Sequence, residues 1–266
     1  MEEFKFYQTY YFCNVINNVL RDQFSYIRKL NDFYDDCKTF YFLGKFQKES
    51  IFHEFIEFIV SGIYDEHLDQ FDLHESIKLP IERAFEYYDV TYITFQEFYH
   101  EDGLHEHIDA EQGCYDYMEF LKSTGAYNLL LQKTTNEIFY ILFQNRDLLM
   151  VFNQKIADIF ETENKSDCPK QLLHLMTANG FAKRKPIPVW VKNAVYFRDR
   201  GRCVLCNMDL SGILNLDNKN NFDHIVPLAR FGFNDVTNIQ LLCHGCNQKK
   251  LAGKAVTSTK TQPWYK

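Results

Sequence analysis

The sequence predicts a mainly α-helical protein that ends in a small, metal-stabilised module, and three observations support this fold class. Before residue 180, apolar residues recur at helical spacing in long stretches, for example 51–60, 137–143 and 148–160. The same part holds only two of the six prolines. After residue 200 the chain is rich in Gly, Asn and Asp and carries two close cysteine pairs, which is typical of a small module that a bound metal ion stabilises.

Local signals refine the helical part. Pro80 favours a helix start near its position, because proline is tolerated in the first turn of a helix. Strand signals are scarce there, and the short segment 90–95 is the best candidate for a strand. The histidine- and acid-rich segment 99–109 has two interpretations, a polar loop between helices or a metal site, and the loop is the more usual one.

Size and composition are those of a folded globular protein. At 266 residues the chain can form one large domain or two ordinary ones. Apolar residues make up 46% and charged residues 24%, which is not the composition of a disordered chain. The first residues lack a secretory signal, and no apolar stretch approaches the roughly 18 residues of a membrane span. We therefore expect a cytoplasmic protein with no membrane partner.

The net charge of −7 hides a sharp division along the chain. Residues 1–180 carry 15 Lys and Arg against 31 Asp and Glu, a balance of −16. Residues 181–266 carry 14 Lys and Arg against 5 Asp and no Glu, a balance of +9. An accident of composition is one explanation. The other, which we favour, is that only the C-terminal part faces a polyanion.

The charge changes sign at a basic segment with two prolines, residues 181–188, which is the best candidate for a domain boundary. We therefore predict an acidic helical domain over 1–180, a basic linker over 181–188 and a small module over 189–266. The module should open with an amphipathic helix over 189–200. Its expected inner residues are Trp190, Ala194, Val195 and Phe197.

The eight cysteines fall into two groups. Four are isolated and are expected to be buried thiols: Cys13, Cys37, Cys114 and Cys168. The other four form two Cys-x-x-Cys pairs, Cys203 with Cys206 and Cys243 with Cys246. Each pair can bring two thiolates to one ion, so two pairs complete a tetrahedral site for structural Zn²⁺. Redox chemistry is the alternative for one pair, but it does not explain two.

The 36 residues between the two pairs exceed the usual zinc-ribbon gap, so a further element is inserted there. The insert holds Asp223-His224, then Pro227 and Asn238, and the second pair closes on Cys246-Asn247 with a lysine three residues later. With the lead-in Arg-Asp-Arg-Gly-Arg before Cys203, this pattern resembles the zinc-containing HNH endonucleases. The resemblance covers about residues 186–254. It departs where that family often carries two glycines, because here Gly232 stands between two phenylalanines.

The resemblance implies a ββα-metal fold and a metal-dependent DNA endonuclease. His224 would be the general base that takes a proton from the attacking water, and a pKa near 6.5 would suit that task. Asp223 and Asn247 would hold a catalytic Mg²⁺ or Mn²⁺. Asn238 would brace the hairpin loop and so orient the base. Read singly, each of these residues is an ordinary strand-end, turn or helix-end residue.

The module also offers cations for a nucleic-acid backbone. Four residues near the motif are candidate phosphate contacts: Arg230, Lys249, Lys250 and Lys254. The alternative is a solvated basic helix end. The expected substrate is DNA, and the sequence does not exclude RNA.

Residues 1–180 match no family that we know from sequence. Because an acidic helical domain is a poor DNA-binding surface, we hypothesise that it recognises a protein partner, a trigger or a second copy of the chain and so gates the nuclease. The resemblance suggests a role in restriction or anti-phage defence. Two other functions remain open: a zinc-stabilised nucleic-acid-binding module without catalysis, and an interaction protein with latent nuclease activity.

Overall fold

A computed structural model describes residues 3–34, 38–69, 78–101, 110–211, 221–251, 253–260 and 262. Cys37 lies outside these ranges, as do residues 102–109 and the side chains of His100 and Glu101, so the interpretation of segment 99–109 stays a prediction. None of the described helices is long and apolar enough to cross a membrane.

The predicted fold class is confirmed: the described chain is mainly α-helical with a small two-stranded sheet near its C-terminal end. The helices before residue 180 are α1 (Thr9–Arg21), α2 (Gln23–Tyr34), α3 (Ile51–Asp69), α4 (Pro80–Tyr87), α5 (Phe95–Glu101), α6 (Ala110–Ser123), α7 (Ala126–Leu142) and α8 (Arg146–Thr162). The three stretches with helical periodicity fall in α3, α7 and α8, with only Phe143 beyond the end of α7, and Pro80 is the first residue of α4, as predicted.

The predicted strand at 90–95 is wrong. Residues 91–94 belong to no helix or strand among the described residues, and Phe95 begins α5. The reason is a capping box: the Thr94 backbone N–H donates to the Glu97 carboxylate at 2.9 Å, and the Glu97 N–H donates to Thr94 Oγ1 at 3.2 Å. This local pairing starts a helix where the strand prediction placed its last residue.

The chain divides into two compact units. Unit 1 consists of residues 1–16 and 55–140, and unit 2 of residues 17–54 and 141–266. This grouping does not follow the predicted division at 181–188, because residues 17–54 and 141–180 belong to the same unit as the C-terminal module. The predicted division into a helical domain over 1–180, a linker over 181–188 and a module over 189–266 stays a prediction.

Unit 1 is organised around a buried carboxylate. Glu137 in α7 is 1% exposed, and its oxygens accept hydrogen bonds from Phe6 N at 2.8 Å, Thr9 Oγ1 at 3.0 Å and the Tyr88 hydroxyl at 2.9 Å. The Lys5 backbone N–H also donates to this carboxylate. A buried anion is tolerated only when its oxygens are hydrogen-bonded, so this cluster holds the N-terminal segment against α7.

Unit 2 has an aromatic core centred on Phe160 of α8. Its ring centroid lies 5.7 Å from that of Phe40 in the 3-10 helix Lys38–Leu43. It also lies 5.9 Å from Phe231 and 5.0 Å from Phe233, both in the loop of the C-terminal module. Edge and tilted ring contacts of this kind stabilise a core beyond the area they bury. These rings therefore join α8 to the loop that carries the motif.

The C-terminal module contains α9 (Val189–Arg198), β1 (Phe222–His224), β2 (Ile239–Leu241) and α10 (His244–Lys250). Strands β1 and β2 are antiparallel, with Asp223 opposite Gln240 and His224 opposite Ile239. A long loop joins them, and α10 follows β2 directly. This is the ββα arrangement that the resemblance implies.

The buried face of α9 differs in part from the predicted one. Val195 is fully buried, as expected, whereas Phe197 is 75% exposed. Lys192 and Arg198 are buried instead. The Arg198 guanidinium donates to carboxylate and carbonyl acceptors inside the unit, so the charged residue next to Phe197 is buried and Phe197 itself is exposed.

Candidate functional site

The two cysteine pairs meet at one point. The sulfur atoms of Cys203, Cys206, Cys243 and Cys246 all lie within 4.8 Å of one another. Cys206 Sγ and Cys243 Sγ are 3.7 Å apart, which agrees with the separation of about 3.8 Å expected in a tetrahedron with zinc–sulfur bonds of about 2.3 Å. The four side chains therefore fit a structural Zn²⁺.

The environment of the thiols also fits a cation. Burial disfavours the Cys203 thiolate, but hydrogen bonds from the backbone N–H groups of Cys206, Cys243 and Leu205 outweigh it and lower the pKa of Cys203 to about 7. Burial and the neighbouring thiols raise the pKa of Cys246 well above its usual value. Four thiolates in so small a volume need a divalent cation to neutralise them.

The lead-in before Cys203 is held by a buried carboxylate. The side chains of Asp199 and Arg198 are fully buried and form an ion pair with an N–O distance of 2.9 Å. Asp199 Oδ2 also accepts from the Leu241 backbone N–H at 2.8 Å, and Asp199 Oδ1 lies 3.2 Å from Arg146 Nη1 of α8. Asp199 thus ties α9 and β2 to α8, which fixes the strand pair that ends at the site.

The predicted site residues converge at the end of β1. His224 is its last residue, and beyond it the chain turns, so Asp223 and His224 need not face opposite sides of the sheet. Both line one cleft of about 470 Å³, together with Asn247 from α10. The other described residues that line the cleft are Thr177, Phe181, Ala182, Arg184, Pro227, Leu228, Ala229 and Leu251.

His224 is buried and uncharged. Its residue exposure is 1%, and neither ring nitrogen has a well-formed hydrogen bond with the described residues. Burial, with smaller effects from Arg184 and Lys250, lowers the pKa of His224 to about 3, and the nearby Asn234 side chain acts in the opposite direction. The ordinary value near 6.5 therefore does not apply in this structure, and the imidazole is uncharged at neutral pH.

Asn238 lies beneath the loop and not in the cleft. It is fully buried, and its Oδ1 accepts from the Val226 N–H at 2.8 Å. Its Nδ2 donates to the Val226 and Phe233 carbonyls, each at 3.0 Å. All of these contacts are with the backbone of the loop that follows His224, so Asn238 braces that loop.

Gly232 is required where the loop turns back. A Cβ atom there would lie 2.2 Å from the Val226 carbonyl oxygen, a backbone atom that cannot move aside. At the preceding position Phe231 has a φ of 60°, a left-handed conformation that favours glycine. The contacts of its ring with Phe160 and Phe181 stabilise this unusual choice.

The four candidate phosphate contacts are not equivalent. Arg230, Lys249 and Lys254 are exposed. The Lys250 side chain is only 1% exposed, and its ammonium lies 2.8 Å from Asp223 Oδ2 and donates to the His224 carbonyl at 2.6 Å. Lys250 therefore occupies the site itself, next to a predicted metal ligand.

Arg184 is a site residue that the sequence assigned to a linker. It lies in the segment that precedes the module and lines the cleft, and its positive charge contributes to the lowered pKa of His224. The run Lys183-Arg184-Lys185 signals a basic segment, but nothing in its spacing shows which residue faces the site.

Comparison with known families identifies this module. Residues 203–253 match the family model described as HNH endonuclease, and the match includes both cysteine pairs, Asp223, His224, Asn238 and Asn247. The C-terminal module is therefore an HNH module with a four-cysteine site. The matched stretch does not extend into the helices before residue 180. No curated protein and no solved structure matches the chain significantly.

Proposed function

We propose that this HNH module makes the protein a metal-dependent endonuclease that hydrolyses phosphodiester bonds in DNA. The observation that carries this function is the convergence of Asp223, His224 and Asn247 on one cleft at the end of β1. A base, two oxygen ligands and a space between them are the elements that metal-assisted hydrolysis needs.

In this proposal His224 is the general base. Burial keeps its ring neutral, so one ring nitrogen carries no proton and can accept one from water, and neither nitrogen has a well-formed hydrogen bond with the described residues. A pKa of about 3 makes this ring a weaker base than one with the ordinary value near 6.5. Asn238 acts as a positioning residue, because it holds the loop that follows His224.

Asp223 and Asn247 would hold the catalytic ion. Carboxylate and amide oxygens suit Mg²⁺ or Mn²⁺. Such an ion, when bound, would stabilise negative charge that develops on the phosphate and on the leaving oxygen. Arg230, Lys249 and Lys254 would bind backbone phosphates around the cleft, because they are exposed cations on the same module.

We extend the proposal to regulation. The acidic charge of residues 1–180 argues against a DNA-binding role for them, so we assign to them the recognition of a protein partner, a trigger or a second copy of the chain. A role in restriction or anti-phage defence, in the cytoplasm, would use such a gate. If the protein is an interaction protein with latent nuclease activity, it should cleave DNA only after its partner is added.

One observation favours a second candidate, a zinc-stabilised nucleic-acid-binding module without catalysis. The ammonium of Lys250 lies 2.8 Å from Asp223 Oδ2, so a cation of the protein itself already neutralises this carboxylate. In a catalytic module this ammonium must share or release the carboxylate when the divalent ion binds.

A plasmid-cleavage assay separates these functions. We expect the full-length protein to nick supercoiled DNA with Mg²⁺ or Mn²⁺ and to stop on addition of EDTA. His224→Ala should lower the cleavage rate by about 100-fold or more, because a positioned general base contributes roughly that factor. His174→Ala removes an exposed histidine of unit 2 and should leave the rate unchanged.

Equal cleavage by the wild type and His224→Ala would exclude His224 as the general base. DNA binding without cleavage under any metal would favour the binding module. Cleavage that begins only after cell extract is added would favour latent activity.

A further inference from the structure

Three consecutive basic residues precede the module, and only the middle one lines the cleft. Lys183 does not line the cleft, and its ammonium donates to the His174 carbonyl at 2.9 Å. Lys185 lines a second pocket, with Lys192 and Phe222, and Arg184 borders that pocket as well. Arg184 lines the cleft of Asp223 and His224.

The backbone on both sides of Arg184 is held by one side chain of the module. Asn234 Nδ2 donates to the Lys183 carbonyl at 2.9 Å, and Asn234 Oδ1 accepts from the Lys185 N–H at 3.2 Å. Asn234 itself is 5% exposed and lies in the loop between β1 and β2. Asn234 therefore holds the backbone at Arg184 against the loop between β1 and β2, which begins directly after His224.

The segment before Arg184 is anchored as well. Ala182 pairs with Met176 in an antiparallel bridge, and the Lys183 N–H donates to the Leu175 carbonyl at 2.8 Å. The Phe181 ring packs on Phe231, with 5.0 Å between centroids. These contacts give residues 175–185 the form of a short arm attached to the loop.

The charge of Arg184 is available to an anion. The residue is exposed, and no carboxylate pairs with it in the part of the chain that the structure describes. Lys250 differs, because Asp223 already neutralises it. An arginine presents a planar fork of donors that matches two oxygens of a phosphate.

We propose that Arg184 binds a non-bridging oxygen pair of the phosphate at the cleavage site and holds that phosphate against His224. This role rests on the proposed DNA endonuclease function. Within the arm 175–185 the proposal assigns substrate contact to Arg184 alone, and it adds to the motif a phosphate ligand that the family model does not span, since the match begins at residue 203.

The test compares full-length Arg184→Ala with full-length Lys183→Ala, a matched control that removes the same charge one residue away. Cleavage is measured on plasmid with Mg²⁺ or Mn²⁺. Arg184→Ala should lower the rate by about 100-fold, the loss typical for one preorganised donor to a reacting oxyanion. Lys183→Ala should change it by no more than about twofold. Arg184→Lys should restore part of the rate, because it keeps the charge but loses the fork.

A second readout does not depend on cleavage. Binding of a short fluorescein-labelled DNA duplex is measured in EDTA over a series of salt concentrations. Loss of one phosphate contact should make the slope of log K against log salt shallower by about one in Arg184→Ala and leave it unchanged in Lys183→Ala. Zinc content and melting temperature should match the wild type in both variants, because Arg184 makes no hydrogen bond among the described residues.

The two readouts separate the two proposals. If the wild type cleaves and Arg184→Ala behaves like Lys183→Ala in both rate and salt slope, the role of Arg184 is overturned and the nuclease function stands. If the wild type does not cleave but only Arg184→Ala loses a phosphate contact, the nuclease function fails and Arg184 remains a phosphate ligand. If the wild type neither binds nor cleaves DNA, both fail.

Discussion

Burial sets the charge of two histidines in unit 2. His224 at the cleft has a pKa lowered to about 3, and His53 in the first turn of α3 has one lowered to about 4. In both cases the cause is the loss of water around the cationic form. His53 Nδ1 also accepts a hydrogen bond from the Ser50 N–H at 3.0 Å, which protonation of that nitrogen would break.

We therefore expect the protein to lose stability in mild acid. Above pH 6.5 His53 is neutral in both the folded and the unfolded chain, and its contribution is fully present. As the pH falls from 6.5 to about 4, the unfolded chain binds a proton that the folded chain does not. His53 alone should lower the free energy of unfolding by about 2 kcal/mol over this range, measured by urea unfolding at a series of pH values.

Two variants isolate the effect. His53→Gln should make the dependence of stability on pH shallower between pH 6.5 and 4. His174→Gln removes an exposed histidine and should keep the dependence of the wild type. Identical slopes for His53→Gln and the wild type would exclude the assignment.

At the scale of the element, the ββα module is too small to be held by its own apolar contacts. Strands β1 and β2 have three residues each, and α10 has seven. Cys243 caps α10 by accepting from the Cys246 N–H at 3.4 Å, and the Val204 N–H donates to the Leu241 carbonyl at 3.0 Å. The two cysteine pairs thus position both the strand pair and the helix that carries Asn247.

Loss of one thiolate should therefore unfold the module. Cys243→Ser is expected to abolish stoichiometric zinc, measured by atomic emission, and to remove the near-UV signal of the module, because zinc binding and folding are coupled there. Cys168→Ser changes a buried cysteine outside the cluster and should retain the zinc. Full zinc content in Cys243→Ser would contradict the four-cysteine site.

At the scale of the whole molecule, unit 2 is assembled from distant parts of the chain. The Arg146 side chain of α8 is fully buried, lies 3.2 Å from Asp199 and donates from Nη2 to the Ser258 carbonyl at 2.7 Å. A fragment that begins at residue 181 would leave Asp199 buried without this partner. The helix α8 is therefore part of the fold that supports the site.

We predict that Arg146→Met lowers the free energy of unfolding of the full-length protein by about 3–5 kcal/mol, because it leaves a buried charge without one of its partners. Arg21→Met is the matched control. Arg21 also pairs with an acidic residue of α8, Asp147 at 2.8 Å, but both side chains are exposed, so the loss should stay below about 1 kcal/mol. Similar losses in chemical denaturation of the two variants would contradict the role of Arg146.

Local sequence patterns correctly predicted some of the helices. Helical periodicity located α3, α7 and α8, since the spacing of apolar residues sets which face a helix buries. It failed for Phe197, because buried ion pairs of Arg198 decide the inner face of α9. The strand prediction at 90–95 failed because a capping interaction four residues long outweighed the composition of the segment.

The sequence alone located the four-cysteine site, because cysteine spacing limits how two thiolates reach one ion. It also located the motif, because the Asp223-His224 pair, Asn238 and Asn247 follow each other at the spacing of the HNH pattern. Only the tertiary structure decided what surrounds them. Asn234 meets the backbone beside Arg184, fifty residues earlier in the chain, and the ammonium of Lys250 lies against Asp223. Such contacts depend on how separate elements pack, and no local spacing encodes that packing.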